Sequence, residues 1–389
     1  MPVKFLHTAD WQIGKPFAGI ADNTKRVLVQ QERLNVLSRI GEAAVKHGAE
    51  FIVVSGDLFD SPSPTKEDVA AVCSAIGKLG IPVLTIPGNH DHGGPGGVWG
   101  QRFFLDQQSA LAPKLRPLLT AEPIELENAV IFPCPLLRRH EADDTTAWLR
   151  APDLDLARFG DKLRIVLAHG SVQGFATEND EEDVGGSHAN RIDLDHLSEN
   201  KFDYIALGDW HGTKKITDRA WYSGTPEIDR FPKGVENRPG NVLAVEAARG
   251  MAPVVTEIRT ARLNWLSHSF TFSGDESLNT LATDIEKLIG NRAQEDLLVL
   301  ELAGSLGIAA SVQLESLLDG WRARLLRIKL ADGTTIAPTQ AEVAALIERA
   351  GDPLISRVAK RLIAEECMGG EAKEIARIAL RELYAACQP

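Results

Sequence analysis

Five short segments of this chain end an apolar run on a residue able to bind metal or carry a proton. They read His7-Thr8-Ala9-Asp10-Trp11-Gln12, Gly56-Asp57-Leu58-Phe59-Asp60, Gly88-Asn89-His90-Asp91, Ala168-His169-Gly170 and Gly208-Asp209-Trp210-His211. Singly these are weak signals, because a Gly-Asp after a strand is more often a solvated turn and a His-Gly more often a plain loop. Their recurrence is a stronger one. Carboxylate, amide and imidazole groups at successive strand ends converge on one sheet edge, where α/β sheets place their ligand loops. Oxygen donors mixed with imidazole suit Mn, Fe or Zn. Carboxylates crowded together repel one another, and bound cations are the simplest way to stabilise them. A shared carboxylate such as Asp57 can bridge two ions, which together lower the pKa of a water and clamp phosphoryl oxygens. The chemistry expected is phosphate-ester hydrolysis.

The elements that must hold these residues follow from pattern. Val3 to His7 is a short buried strand, and Asn23 or Thr24 caps a long amphipathic helix over Val27 to His47, closed by Gly48. Strand Phe51 to Ser55 follows, then a helix capped by Thr65 and ended by Gly80, then strand Pro82 to Ile86, giving βαβαβ. Further strands are predicted at Ala129 to Cys134, Leu163 to Ala168, Asp203 to Leu207, Ala220 to Ser223 and Asn241 to Val245. The fold class expected is α/β, with a large domain over 1–260, a smaller α+β unit over 261–335 and a helical tail over 336–389. In the smaller unit, strands Ser267 to Phe272 and Leu297 to Leu302 flank a helix at Leu278 to Ile289, before helix 311–322 and strand 324–330. The tail is rich in Ala, Leu, Ile and paired charges. It reads either as an amphipathic hairpin packed on the rest of the chain or as a docking element for a partner protein.

Composition bounds the class. With 389 residues, 44% hydrophobic and 25% charged, the chain is globular and long enough for two or three domains. No apolar run approaches the roughly 20 residues of a membrane span, and MPVKFLHTAD lacks the pattern of a signal or transit peptide. Cys73, Cys134, Cys367 and Cys387 lack the spacing of a zinc knuckle or disulfide framework. A cytoplasmic protein without a membrane partner is expected. The formal net charge of -12 argues against a uniformly basic nucleic-acid binder, since polyanion affinity rests on Lys and Arg. Charge placement matters more than the total, and carboxylates that hold cations count as negative in that sum.

The Gly-Asp-x-x-Asp and Gly-Asn-His-Asp pair, with strand-end histidines downstream, resembles the calcineurin-like metallophosphoesterases. More narrowly, HTADWQIGK, VVSGDLFDSPSPT, LTIPGNHD and YIALGDWHG resemble the SbcD-type nucleases, bacterial relatives of the Mre-type double-strand-break repair nucleases. The likeness covers roughly residues 1–230, and the smaller unit stands where that family has its capping domain. It implies a β-sandwich flanked by helices and two divalent cations, Mn2+ first, with Mg2+, Fe2+ or Zn2+ as alternatives. Asp10, Asp57 and His211 would hold one ion, and Asp57, Asn89 and His169 the other. His90 would be the general acid and Asp60 the group that orients and charges it. The reaction implied is in-line attack by a metal-activated hydroxide on a phosphodiester, without a covalent enzyme intermediate. Two positions depart from the family pattern: Gln12 stands where a histidine ligand belongs, and Asp209 stands at the first histidine of the late Gly-His-x-His motif. Asp209 is a competent ligand, whereas the neutral Gln12 amide is a weaker ligand or a bystander.

Basic residues near these loops, Lys15, Arg102, Lys214 and Lys215 foremost, with Arg138, Arg139 and Arg230 and the aromatics Trp11, Trp99 and Trp210, are candidates for contact with a DNA backbone or bases. The acidic run Glu178 to Asp183 would repel DNA if it faced the site. The family resemblance also implies a homodimer clamped by a separate SbcC-like coiled-coil ATPase, since this chain has no GxxxxGKS or GxxxxGKT motif of its own. A DNA exo- or endonuclease in repair or in defence against foreign DNA is the leading reading. A small-molecule or cyclic-nucleotide phosphodiesterase or phosphatase, and a catalytically weakened scaffold subunit, are the alternatives.

Overall fold

A computed structural model describes residues 2–172, 189–195, 197, 201–231, 237–336, 340–348, 352–366 and 371–387. The acidic run at 178–183 and Cys367 lie outside the described residues. The chain divides into two compact units, over 1–263 and 264–389.

In the first unit, β1 (Val3–Thr8), α1 (Asn23–His47), β2 (Phe51–Val54), α2 (Lys66–Leu79) and β3 (Val83–Thr85) form a parallel βαβαβ run. Next come α3 (Arg102–Leu111) and β4 (Leu115–Pro117), the latter parallel to β3. A second sheet begins with β5 (Ile124–Glu125), β6 (Ala129–Cys134) and β7 (Leu163–His169). After a small ladder of β8 (Ser171–Val172) and β9 (Arg191–Ile192), it is completed by β10 (Tyr204–Gly208), β11 (Lys214–Lys215) and β12 (Ala220–Tyr222). The chain then returns to the first sheet through β13 (Asn241–Ala247) and β14 (Val254–Arg259). The orders are β14-β13-β1-β2-β3-β4 and β11-β12-β10-β7-β6-β5.

These two sheets pack face to face. Phe5, Phe51, Val53 and Leu84 of the first meet Ile131, Ile165, Leu167 and Tyr204 of the second. Helices α1, α2 and α3 cover the outer face of the first sheet with Val36, Leu37, Ile40, Val72, Ile76 and Phe104. Loop residues Leu149, Phe159 and Leu197 cover the outer face of the second. Burial on both faces explains why the parallel strands read as near-continuous apolar runs: every residue of β7 is buried.

Helix α1 starts at Asn23 rather than Val27, and its cap is Asp22, not Asn23 or Thr24. The Asp22 carboxylate accepts from the main-chain N–H groups of Thr24 and Lys25 at 2.9 and 3.1 Å. Helix α2 has the expected Thr65 cap, made reciprocal by Asp68: Thr65 Oγ1 accepts from Asp68 N and Asp68 Oδ2 from Thr65 N. The short or half-exposed strands β4, β5 and β14 leave too little apolar pattern to be read from sequence.

The second unit alternates strands and helices: β15 (Asn264–Phe272), α4 (Ser277–Ile289), β16 (Asp296–Leu306), α5 (Ile308–Arg324), β17 (Arg327–Asp332) and β18 (Thr335–Ile336). The unit expected as α+β pairs its strands in parallel throughout, with α4 and α5 as the crossovers. Leu278, Leu281 and Ile285 of α4 and Leu314 and Leu318 of α5 pack on Leu298, Leu300 and Leu302 of the sheet. The tail comprises α6 (Gln340–Ile347), α7 (Pro353–Glu366) and α8 (Glu371–Ala386). It buries Leu346, Ala359 and Leu380 against Ile308 and Ile336, and Glu342 accepts from Ala309 N at the α5 N-terminus, 2.7 Å away. Among the described residues, no helix is long and apolar enough to cross a membrane.

Candidate metal centre

Strands β1 and β2 of one sheet and β7 and β10 of the other deliver their C-terminal loops to a common place. Hydrogen bonds between the sheets fix that meeting: His169 Nδ1 donates to the Ser55 carbonyl at 2.7 Å, Ser55 Oγ donates to the Ala206 carbonyl at 3.1 Å, and His7 Nε2 lies 3.2 Å from the Leu207 carbonyl. His7 is thereby a buried tie, its pKa lowered by burial to about 3, and not a ligand.

The turns that follow the strands are backbone-strained. Asp10, Gln12, Asp57 and Asp209 all take positive φ, at 55°, 42°, 54° and 100°, a conformation side chains with a Cβ rarely adopt. Glycine serves a second need beside them, although Gly56 shares the positive φ, at 92°. A Cβ at Gly56 would run into the His169 ring, and one at Gly88 into the Asp57 carboxylate.

Two buried charged groups hold these loops. Asp91 Oδ2 accepts from Leu58 N and Phe59 N at 2.9 and 3.1 Å, and its Oδ1 from Gly88 N at 2.7 Å. Burial, reinforced by the nearby Asp57, pushes its carboxyl up to about 7. Arg33 of α1 donates to the carbonyls of Asp10, Trp11 and Glu227, at 3.0 Å to the first. Neither role is legible in sequence, since an arginine on an amphipathic helix ordinarily faces water.

At the centre, ligand atoms of Asp10, Asp57 and His169 lie within 4.8 Å of one another, all three residues buried. His169 Nε2 is 2.9 Å from Asn89 Oδ1, 3.6 Å from Asp57 Oδ2 and 3.8 Å from Asp209 Oδ1. With its Nδ1 proton given to Ser55, His169 turns the other nitrogen toward these oxygens, the orientation a ligating histidine needs. Burial raises the Asp10 carboxyl well above the usual range; Asp57 and Asp209 add to that and His169 opposes it. Burial works against charge on His169, but Asp57, Asp10 and Asp209 lift its pKa to about 9. A buried imidazole and three carboxylates fit a divalent cation, which would compensate the carboxylates and take the neutral imidazole as a ligand.

His90 stands beside this cluster. Its main-chain N–H donates to Asp57 Oδ1 at 2.9 Å, and its Nδ1 donates to the Asp60 main-chain carbonyl at 3.0 Å. The Asp60 carboxylate is 3.8 Å from the same nitrogen, so the carbonyl, not the expected carboxylate, is the nearer orienting group. Burial lowers the imidazole pKa, but Asp57, the Asp60 carbonyl and the Asp60 carboxylate more than reverse this, and the net shift is upward.

Gln12 and His211 meet each other, Nε2 to Nε2 at 3.4 Å, and His211 is not among the described donors gathered around His169. Asp229, which no sequence signal marked, lies 3.1 Å from His211 Nδ1 and 2.9 Å from Lys15 Nζ. Burial sets the His211 pKa at about 4 despite Asp229. His211, Lys15 and Arg230 hold the Asp229 carboxyl well below its usual range against its own burial.

The remaining expectations divide. Lys15 is buried and ion-paired inside the protein, so it is not a surface contact for a nucleic-acid backbone. Trp11 and Trp99 are likewise core residues, their indole N–H groups donating to Thr8 Oγ1 and to the Asp91 carbonyl. Arg102 is exposed on α3 and paired with Asp106; Lys215 is paired with Asp218 at 2.6 Å. Lys214 lies over the Trp210 ring, 5.0 Å from its centroid.

A profile of the calcineurin-like phosphoesterase family matches residues 3–213, and the chain belongs to that family. It is 26% identical over 260 residues to the SbcD subunit of the nuclease SbcCD of Staphylococcus epidermidis, an alignment covering 63% of this chain and 66% of that protein, just under two thirds of its length. Among solved structures, the protein TT1561 of Thermus thermophilus aligns at a TM-score of 0.35 and 15% identity, over 58% of this chain and 90% of that one.

Proposed function

We propose that this chain is a divalent-cation-dependent phosphodiesterase that hydrolyses DNA. The observation carrying this reading is the placement of His90: its imidazole is locked by Asp60 and its backbone by Asp57, which also faces His169. A proton donor is thus fixed beside a buried anionic pocket, the pairing that phosphoester cleavage requires.

Asp10, Asp57, Asn89, His169 and Asp209 would hold the cation. When bound, it supplies electrophilic stabilisation of charge building on the phosphoryl oxygens. The chain's own residues do the rest. With Nδ1–H committed to the Asp60 carbonyl, Nε2 is the nitrogen through which His90 passes a proton to the leaving oxygen. The upward pKa shift keeps that nitrogen protonated closer to neutral pH. Mn2+ is the expected ion on the family resemblance, the mixture of oxygen donors and imidazole suiting Fe and Zn as well.

The DNA substrate is supported by the likeness to the staphylococcal nuclease subunit and by exposed Arg102, Arg138, Arg139 and Lys215 on the same unit. A separate coiled-coil ATPase and a second copy of this chain are the proposed partners. Exposed Leu354 and Val358 on α7, and Ile375 and Ile378 on α8, are the proposed docking rows. The test is hydrolysis of linear duplex DNA, single-stranded DNA and p-nitrophenyl phosphodiesters with Mn2+, alongside His90→Ala. Cleavage of the small esters alone would favour the small-molecule reading. Equal inertness of both proteins would favour a scaffold subunit, the reading that the substitutions at Gln12 and Asp209 suggest.

A further inference from the structure

The Gln12 side of the site is built on fixed positive charge. Lys15 Nζ lies 3.1 Å from Gln12 Oε1 and 2.9 Å from Asp229 Oδ2. An ammonium only donates, so the Gln12 amide oxygen must be the atom facing it, and the amide NH2 is turned to His211 Nε2. Asp229 Oδ1 accepts the other ring proton of His211, at 3.1 Å, which leaves the Nε2 lone pair as the acceptor for Gln12. The two atoms on this side best able to ligate a cation, Gln12 Oε1 and His211 Nε2, are therefore each directed at a protein donor. Arg230 adds a second positive group, its Nη2 lying 3.1 and 3.4 Å from the two ring nitrogens of His211.

The opposite side has the complementary bias. Asp209 brings a third carboxylate toward His169, alongside Asp10 and Asp57, and Ser171 Oγ donates to its other oxygen at 3.0 Å. One half of the centre has thus gained an anionic ligand, and the other has an ammonium on a neutral amide. The residues fit one cation and do not fit a second.

Resting on the reading of the site as cation-dependent, we infer that the chain holds a single divalent cation, at Asp10, Asp57, Asn89, His169 and Asp209. The Lys15 ammonium, fixed by Asp229 and Gln12, and the Arg230 guanidinium together leave one net positive charge on this side once the Asp229 carboxylate is counted, in place of a second cation. Lys15 is then a positioning and charge-supplying residue of the centre, not a surface contact for substrate.

The test is a metal count on the full chain, stripped with chelator and titrated with Mn2+. Calorimetric stoichiometry and elemental analysis after desalting are expected to give one Mn2+ per chain, with the low-temperature electron paramagnetic resonance spectrum of an isolated ion. Two Mn2+ per chain with an exchange-coupled spectrum would overturn the inference while leaving the proposed function intact. One Mn2+ without phosphodiester cleavage would do the reverse, and no uptake at all would sink both. Gln12→His alone is expected to stay at one, and Gln12→His with Lys15→Ala to take up a second, coupled ion. If that double variant melts far below the parent, Lys15→Gln replaces Lys15→Ala. A folded double variant that still binds one ion would remove Lys15 from the explanation.

Discussion

The main-chain N–H of His90 and the Oδ1 of Asp57 are joined by a 2.9 Å hydrogen bond. The proton carrier and the carboxylate that faces His169 therefore move as one piece, although 33 positions separate them. Replacing the His90 side chain leaves that backbone bond in place. His90→Asn is accordingly expected to lower kcat by about two to four orders of magnitude, the usual worth of a positioned acid. Mn2+ affinity measured by calorimetry should stay within about threefold of the parent, because only the proton carrier is removed. A parallel loss of metal binding would reassign His90 to the ligand set.

The pH profile carries a sign. An acid must be protonated to act, so kcat/KM is expected to fall as pH rises through the His90 pKa, which lies above the ordinary value of about 6.5. Part of that elevation comes from the Asp60 carboxylate, 3.8 Å away. Asp60→Asn should move the alkaline limb to lower pH, while the carbonyl bond that orients the ring persists. An unmoved limb in a folded Asp60→Asn protein would show that the carboxylate does not tune His90.

Cation binding is expected to release a proton. Without a cation, His169 titrates near 9, held protonated by Asp57, Asp10 and Asp209 against its burial. A ligating imidazole must be neutral, so near pH 8 binding displaces the proton that the cluster retained. Calorimetry in two buffers of different ionisation enthalpy should report a release of about one proton per cation. The same linkage raises thermal stability, by about 2.7 kcal/mol at a hundredfold excess over Kd, and chelator should reverse the rise.

Asp91 is predicted to matter without touching a cation. It satisfies three buried main-chain N–H groups, on Leu58, Phe59 and Gly88, in the two loops that carry Asp57 and Asn89. Asp91→Ala strands all three, at a cost of about 3 kcal/mol in unfolding free energy, and should weaken Mn2+ binding as the loops drift. Asp91→Asn keeps one acceptor and should cost less. Equal stability of parent and Asp91→Ala in urea denaturation would contradict this account.

Charging the apolar rows of the tail tests the proposed partner. Leu354→Lys with Ile375→Lys is expected to abolish co-purification with a coiled-coil ATPase while leaving the Mn2+ count unchanged. Retention of the partner would place the docking surface elsewhere.

The strand-end residues at 10, 57, 89, 90, 169, 209 and 211 were visible in the sequence, because the same layout, a short apolar run stopping at a polar hinge, recurs five times, and the strands that form there are buried on both faces. The departures at Gln12 and Asp209 were visible too, since they are changes of residue type. Tertiary structure alone decided what those changes mean. Lys15 reads as a surface cation until Asp229, 214 positions away, is found beside it; Arg33 reads as a solvated helix residue until its guanidinium meets the loop carbonyls of Asp10 and Trp11. Sequence order sets which groups a strand end presents. Whether a charge faces water or a buried partner depends on which distant loops the two sheets bring together, and short-range pattern contains no trace of that.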